Sequence, residues 1–238
     1  NLENALYQLK NEQIEYKIIK VKKNFAIGKL LNINTRSENR VAPPCIYYER
    51  CGGCQLQHLS YEAQLEMRKE QVINLFQRKA HFDNSKINDT VGMTDPWRYR
   101  NKSQIPVGKN EQNEVIMGFY RQRSHDIIDM ESCLIQDSQH QEVMNEVKSI
   151  LKDLNVSIYQ EQLKKGLMRH LVVRTGYHTD EMMIIFVTNC KKRAKKNAVV
   201  EKILDAFPNV TSIKQNINDS HSNVIMGRQS LKVCGKET

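Results

Sequence analysis

Thiols dominate the chemistry this sequence offers. Cys45, Cys51 and Cys54 lie within ten residues in CIYYERCGGC, a C-x5-C-x2-C run, and Cys133 follows far downstream. Cys190 and Cys234 stand alone. Three local thiolates and one remote thiolate suit either a tetrahedral zinc or a four-iron, four-sulfur cluster. Structural zinc more often takes two short-spaced pairs, whereas this set has one pair and two singletons, so the spacing favours the cluster. Gly52 and Gly53 let the backbone turn tightly and point amide N–H groups at a bulky anionic group. Unligated thiols are the third reading. His58 and His125 are either substitute ligands or ordinary polar residues near the loop. A cluster with four protein ligands has no open coordination position, so its use is structural.

Cations interleaved with aromatic rings form the second candidate set. Lys17, Lys20, Lys22 and Lys23 decorate QIEYKIIKVKKNF, with Phe25 beside them. WRYRNK interleaves Trp97 and Tyr99 with Arg98, Arg100 and Lys102, a mixture that stacks on bases while meeting phosphates. The bland alternatives are lysines on the wet face of a strand and aromatic rings buried in a core. Arg169 and His170 flank a hairpin within reach of RNA, or form a charged pair at a strand end. The run Lys191, Lys192, Arg193, Lys195 and Lys196 grips phosphates or is a solvated surface.

The whole composition agrees with a polyanionic partner. In 238 residues Lys and Arg number 36 against 27 Asp and Glu, a formal charge of +9, with a pI near 9.2. Such a balance favours phosphate neutralisation with counterion release, although solubility alone also explains it. No apolar run approaches bilayer length, and the first residues lack the basic start and apolar core of a leader. The expected address is cytoplasmic, where six cysteines are metal or cluster ligands sooner than three disulfides.

The elements that must position these residues are legible in outline. Ile14, Tyr16 and Ile18 alternate with polar positions, and then Ile19 and Val21 carry the pattern on, which predicts a strand with a bulge. SYEAQLEMRKEQVINLFQRKA predicts a helix capped by Ser60, with Tyr61, Leu65, Val72 and Phe76 on one face and Ile73 and Leu75 flanking it. DPWRYRNKSQIPVG and EVIMGFYRQRSHDIIDMESC are β-prone segments. Asp137 or Ser138 caps a helix whose stripe is Val143, Val147, Ile150, Leu151 and Leu154. LMRHLVVRTG and MMIIFVTNC form a hairpin, KNAVVEKILDAF a short helix stopped by Pro208, and VTSIKQNI a further strand. The fold class is α+β: a small basic β module over 1–41, then an antiparallel-sheet α+β domain over 42–238 with helices on one side.

Together, CIYYERCGGCQLQHLSYEAQLEMRK, DPWRYRNKSQIPVG, GFYRQRSHDIIDMESCLIQD, GLMRHLVVRTGYHTDEMMIIFVT and NVIMG resemble the iron–sulfur class of RNA (uracil-5-)-methyltransferases acting on 23S ribosomal RNA. The resemblance covers essentially the whole chain. It implies a [4Fe-4S] cluster on Cys45, Cys51, Cys54 and Cys133. It implies that residues 1–41 are the later strands of a TRAM domain, a small RNA-binding β-barrel whose opening strands are absent here. The RNA contacts expected on this reading are Lys17, Lys20, Lys22, Lys23, Phe25, Arg98, Arg100, Lys102, Arg169 and His170. Relatives of this class continue into a Rossmann-like domain with the S-adenosylmethionine site, a nucleophilic cysteine and a general-base glutamate. This chain ends before those motifs, so it is expected to hold no catalytic residue, to bind no S-adenosylmethionine and to be inactive alone. In the resemblance the helix over 60–80 packs on that further domain; its exposed apolar face here predicts self-association.

The chemistry of the reaction fixes the place of the cluster. A uracil C5 becomes nucleophilic only after a thiolate adds at C6; it then attacks the methyl sulfonium, a base removes the C5 proton, and the thiolate leaves. No step transfers an electron, so the cluster shapes the RNA-recognising part. The reading from another class is a stand-alone RNA-binding adaptor, or a redox sensor, built on a zinc or iron–sulfur knot.

Overall fold

A computed structural model describes residues 8–80, 86–191 and 195–236. The chain divides into two compact units, Asn1–Glu49 with Cys54–Pro96, and Arg50–Gly53 with Trp97–Thr238.

The first unit holds β1 (Gln13–Val21), β2 (Ala26–Thr35) and α1 (Tyr61–Ala80). β1 and β2 pair antiparallel, and the ladder slips between Ile18 and Lys20, which puts Ile19 out of register and realises the expected bulge. A turn closed by the Lys22 N–H on the Phe25 carbonyl joins them. Only these two strands make the sheet among the described residues, so a closed barrel is not formed. The Ser60 Oγ accepts from the Ala63 N–H and starts α1. Ala63 and Met67 on that helix pack with Leu9 and Leu59. Further along, Val72, Leu75 and Phe76 are exposed, while Leu65 of the expected face is half-buried.

In the second unit β3 (Lys102–Lys109), β4 (Val115–Tyr120), β5 (Ile127–Asp129), β6 (Met168–Thr175), β7 (Met182–Thr188), β8 (Val210–Ile217) and β9 (Gln229–Gly235) form one sheet. Their order is β5-β4-β3-β6-β7-β8-β9. The expected all-antiparallel sheet needs correction, because β7 and β8 run parallel. The cause is α3 (Lys196–Ala206), which carries the chain back so that β8 starts at the same end as β7. β9 is a strand that sequence reading passed over.

α2 (Ser138–Asp153) begins where expected: the Asp137 carboxylate accepts from the Gln139 N–H at 2.9 Å. Its stripe of Val143, Val147, Ile150 and Leu151 is 0–2% exposed. Each such side chain contributes about 1.5–3 kcal/mol of apolar burial. Leu151 of α2 and Val199 and Val200 of α3 line one small cavity, of about 70 Å³, with Phe186, Gln215 and Val233 of the sheet. Both helices therefore cover the same sheet face.

Candidate nucleic-acid interface and cysteine loop

Cys45, Cys51 and Cys54 are carried by a loop whose residues Arg50–Gly53 are assigned to the second unit and the rest to the first. At its base, within the first unit, the Tyr48 hydroxyl donates to the Gln55 carbonyl at 2.7 Å and meets His58 Nδ1 at 2.5 Å. With the hydroxyl proton given to Gln55, the proton of that second bond sits on His58 Nδ1. Burial and the Arg40 charge both lower the His58 pKa, which keeps the ring neutral. The Cys45 N–H donates to Gln57 Oε1. These bonds clamp both ends of the loop.

The tip, Arg50–Gly53, belongs to the second unit. Cys51 bridges antiparallel to Arg121, the Gly52 N–H donates to the Tyr120 carbonyl at 3.0 Å, and the Gln122 N–H donates to the Arg50 carbonyl. The tip thus pairs with the end of β4 and the residue after it through one isolated bridge. A side chain at position 52 would press on the Tyr120 carbonyl, so glycine permits this approach. The Gly53 N–H lies 3.4 Å from Cys51 Sγ, the kind of amide donation that stabilises a thiolate. By unit, Cys45 and Cys54 belong to the first and Cys51 and Cys133 to the second. All six cysteines are thiols, joined by no disulfide. Among the described residues no group of three or more His, Cys, Asp or Glu is gathered to hold a metal. The donor set and the Gly53 amide fit a thiolate-bound group.

Tyr120, at the anchor of the tip, connects to the expected Arg169 and His170. Its hydroxyl lies 3.4 Å from His170 Nε2, and its ring stacks on His125 with centroids 5.4 Å apart. His125 in turn meets Glu161 at 3.2 Å. His170 is 8% exposed, and its Nδ1 is buried with no partner among the described residues. Burial first, and then the neighbouring Arg169 charge, push its pKa down to about 4.

Arg169, also 8% exposed, donates through Nη1 to the carbonyls of Asn218 and Ser220 at 2.6 and 2.7 Å. Those carbonyls start the strap between β8 and β9. Asn218 Nδ2 donates to the carbonyls of Val224 and Ile225, and Asn216 exchanges bonds with Gly227. Met226 of the strap packs on Val172, Ile185 and Val187. These three lie on the sheet face away from the helices, because their register neighbours Val173 and Ile184 share the face of Ser103, which hydrogen-bonds His140 of α2. Sequence reading missed the strap. Its signal was the asparagine-rich NINDSHSN ahead of NVIMG.

Beside the strap lies a groove of about 520 Å³ lined by Tyr99, Arg100, Asn101, Lys102, Gln104, Phe119 and Ile225. Arg98 takes a left-handed backbone, φ 49°, which breaks the alternation of WRYR and turns Tyr99 outward to 53% exposure. The Arg100 N–H donates to the Ile135 carbonyl, fixing the groove floor to the segment that follows Cys133. Arg98 and Lys102 are exposed, and Arg100 is half-buried.

Lys17, Lys20, Lys22 and Lys23 are all exposed on the β1–β2 ribbon, and Phe25 is half-buried. Lys17 stands directly opposite Lys29 on β2. Of the basic run before α3, Lys192 and Arg193 lie outside the described residues. Lys195 Nζ donates to the Leu154 carbonyl, and Lys196 lines the small cavity beneath the helices.

The chain matches proteins named as RNA methyltransferases. A Staphylococcus aureus (strain COL) protein named an uncharacterized RNA methyltransferase is 96% identical over 228 residues, covering 96% of this chain and 50% of the relative. A Staphylococcus epidermidis protein of the same name is 67% identical over 227 residues, again half of its length. The chain thus spans about half the length of the curated relatives it matches. No family model matches it. Its fold is shared with the Pyrococcus abyssi tRNA (uracil-54, C5)-methyltransferase, solved in complex with S-adenosyl-L-homocysteine. That likeness has a TM-score of 0.65 at 23% identity and covers 94% of this chain and 48% of the other. No helix among the described residues is long and apolar enough to cross a membrane.

Proposed function

We propose that this chain is the RNA-recognising part of an S-adenosylmethionine-dependent RNA (uracil-C5-)-methyltransferase. The single observation that carries the reading is the match over 96% of the chain to proteins named RNA methyltransferases. The groove of Tyr99, Arg100 and Lys102 supports it chemically: an outward ring beside cations takes a base and its phosphate together. Lys17, Lys20, Lys22, Lys23 and Phe25 supply a second basic ribbon of TRAM type, with Arg98 at the groove rim. Arg169 and His170 hold the strap and the Tyr120 anchor from beneath. S-adenosylmethionine is the proposed methyl donor of the whole protein. Residues 1–41 and 42–238 act as the RNA-binding module and the central domain, in the cytoplasm. The exposed face of α1 pairs with a second copy when the chain is isolated.

The proposed cofactor is a [4Fe-4S] cluster on Cys45, Cys51, Cys54 and Cys133. The donor set and the Gly53 amide support it. When bound, the cluster supplies a rigid tie and no chemistry of methyl transfer. Protein purified without oxygen should be brown and carry four irons' worth of labile sulfide. Cys133→Ser should lose that colour, and a colourless protein with one zinc would overturn the cluster.

The proposed substrate is 23S ribosomal RNA, as the sequence resemblance implies. A binding comparison between 23S fragments and tRNA transcripts tests it: preference for the rRNA fragments is expected, and preference for tRNA would reassign the substrate. Failure to bind either, at low salt, would overturn the RNA reading itself.

A further inference from the structure

The helix-free face of the seven-stranded sheet carries a charge pattern that begins at Lys102 of the Tyr99 groove and continues beyond it. On β3 and β6, Lys102 stands directly opposite Arg174. On β8 and β9, Lys214 stands directly opposite Lys232. Directly opposed residues in an antiparallel pair point to the same face, with Cβ atoms about 4.5–5.5 Å apart. The register places both pairs on the face away from α2 and α3. Arg174 follows Val172 by two residues, and Lys214 is the β8 neighbour of Ile185. Val172 and Ile185 are the residues that Met226 of the strap covers.

Like charges set directly across a ladder weaken the sheet. The strands themselves offer no counter-charge: β3, β6, β7, β8 and β9 contain no aspartate or glutamate. Lys102, Arg174 and Lys232 are exposed, and none of the three forms an ion pair among the described residues. Lys102, Arg174 and Lys232 therefore present positive charge on this face that the strands do not offset, as an anion-receiving surface would. Arg174 on β6 and Lys214 on β8 are two strand spacings apart and two residues out of step, so the near ends of the pairs lie roughly 12 Å from each other across β7. A single phosphate is too small for that span; a chain of phosphates is not. Tyr99, exposed beside Lys102, gives the track an aromatic end.

We propose that this face is a phosphate track for single-stranded RNA, formed by Lys102 and Arg174 at one end and Lys214 and Lys232 at the other. It rests on the RNA reading above and extends it from the Tyr99 groove across the sheet to β9. Backbone contacts of this kind are independent of sequence, so the track holds and orients a strand whose bases are read elsewhere.

The test is the double variant Arg174→Glu with Lys232→Glu in the 238-residue chain, titrated with a labelled uridine-containing single-stranded RNA oligonucleotide over a range of salt. Each repulsive pair becomes an attractive one, so the thermal midpoint should stay level or rise. RNA affinity should fall, and the slope of log K against log salt should become shallower by about 1.4, or 0.7 for each phosphate no longer neutralised. Arg174→Gln with Lys232→Gln removes the charges without adding new ones and should give the same change in slope. If the wild-type chain binds the RNA with a steep salt dependence and both variants keep its slope, the track is wrong while the RNA reading stands. If the wild-type chain shows no salt-dependent RNA binding, the RNA reading fails first. Equal loss of binding to an acidic polyglutamate peptide would overturn RNA as the occupant.

Discussion

The guanidinium of Arg169 lies 4.4 Å from the centre of the Tyr159 ring while its Nη1 holds the carbonyls of Asn218 and Ser220. One buried side chain thus ties the start of β6 to the strap that borders the Tyr99 groove. Removing it leaves two carbonyls without their donor and an aromatic face without its cation. Arg169→Met should therefore destabilise the second unit by roughly 2–4 kcal/mol, and Arg169→Lys by less, since a lysine retains a donor but loses the planar stack. Urea denaturation with the two variants side by side measures this. Equal stability of both with the wild type would show that the strap is held by its asparagines alone.

Gly227 closes the strap from the other end. A Cβ there would drive into the Ile217 carbonyl oxygen, and Asn216 already brackets the position by accepting from its N–H and donating to its carbonyl. Gly227→Ala must lift the strap from Val172 and Ile185. Faster amide exchange over residues 218–228, together with weaker RNA binding, is the expected outcome. Unchanged exchange there would mean that the strap has slack enough to absorb a methyl group.

His170 makes the second unit sensitive to mild acid. Its pKa in the fold is about 4 against an ordinary 6.5, chiefly because burial opposes the charge. The unfolded chain therefore takes up this proton at a higher pH than the folded one. The stability it permits is complete above 6.5 and declines as the pH falls from 6.5 toward about 4. The full decline is about 3 kcal/mol. His170→Gln should flatten the stability profile over that interval, as measured by chemical denaturation at a series of pH values. A profile of unchanged steepness would place the titrating group elsewhere.

Local signals were readable in the sequence and long-range ones were not. The Asp137 cap, the α2 stripe and the β1 bulge each depend on neighbours a few residues away, and each is where the pattern put it. The parallel pairing of β7 with β8 depends on where α3 delivers the chain, which no local periodicity records. β9 was legible in principle, since Leu231 and Val233 alternate with polar residues in QSLKVCG, but its polar, half-exposed composition masks it. The outward Tyr99 was hidden because alternation assumed a strand where Arg98 takes a positive φ. The opposed cations at Lys102 and Arg174, or Lys214 and Lys232, exist only once register is known. No pattern along the chain brings residues that far apart face to face.

Glu12 and Arg40 should set a second acid transition, in the first unit and at lower pH. The Glu12 side chain is fully buried, and Arg40 meets both its oxygens, Nε at 2.5 Å and Nη2 at 2.8 Å. The Leu9 and Ser37 N–H groups donate to the same carboxylate. The Arg40 hydrogen bonds, working against burial, bring its pKa from 4.5 to about 2. A carboxylate lowered in this way adds stability above 4.5 that is lost as the pH falls from 4.5 toward about 2, below the interval that His170 governs. Arg40→Ala leaves the buried carboxylate with backbone donors only and should cost roughly 3 kcal/mol at neutral pH. Glu12→Gln should cost less, because the amide keeps an acceptor for the Leu9 N–H. Amide exchange at Leu9 and Ser37 reads the site directly. Slow exchange at both in Arg40→Ala at neutral pH would show that the loop before β1 is held by Leu9, Leu59 and Ala63 packing and not by the ion pair.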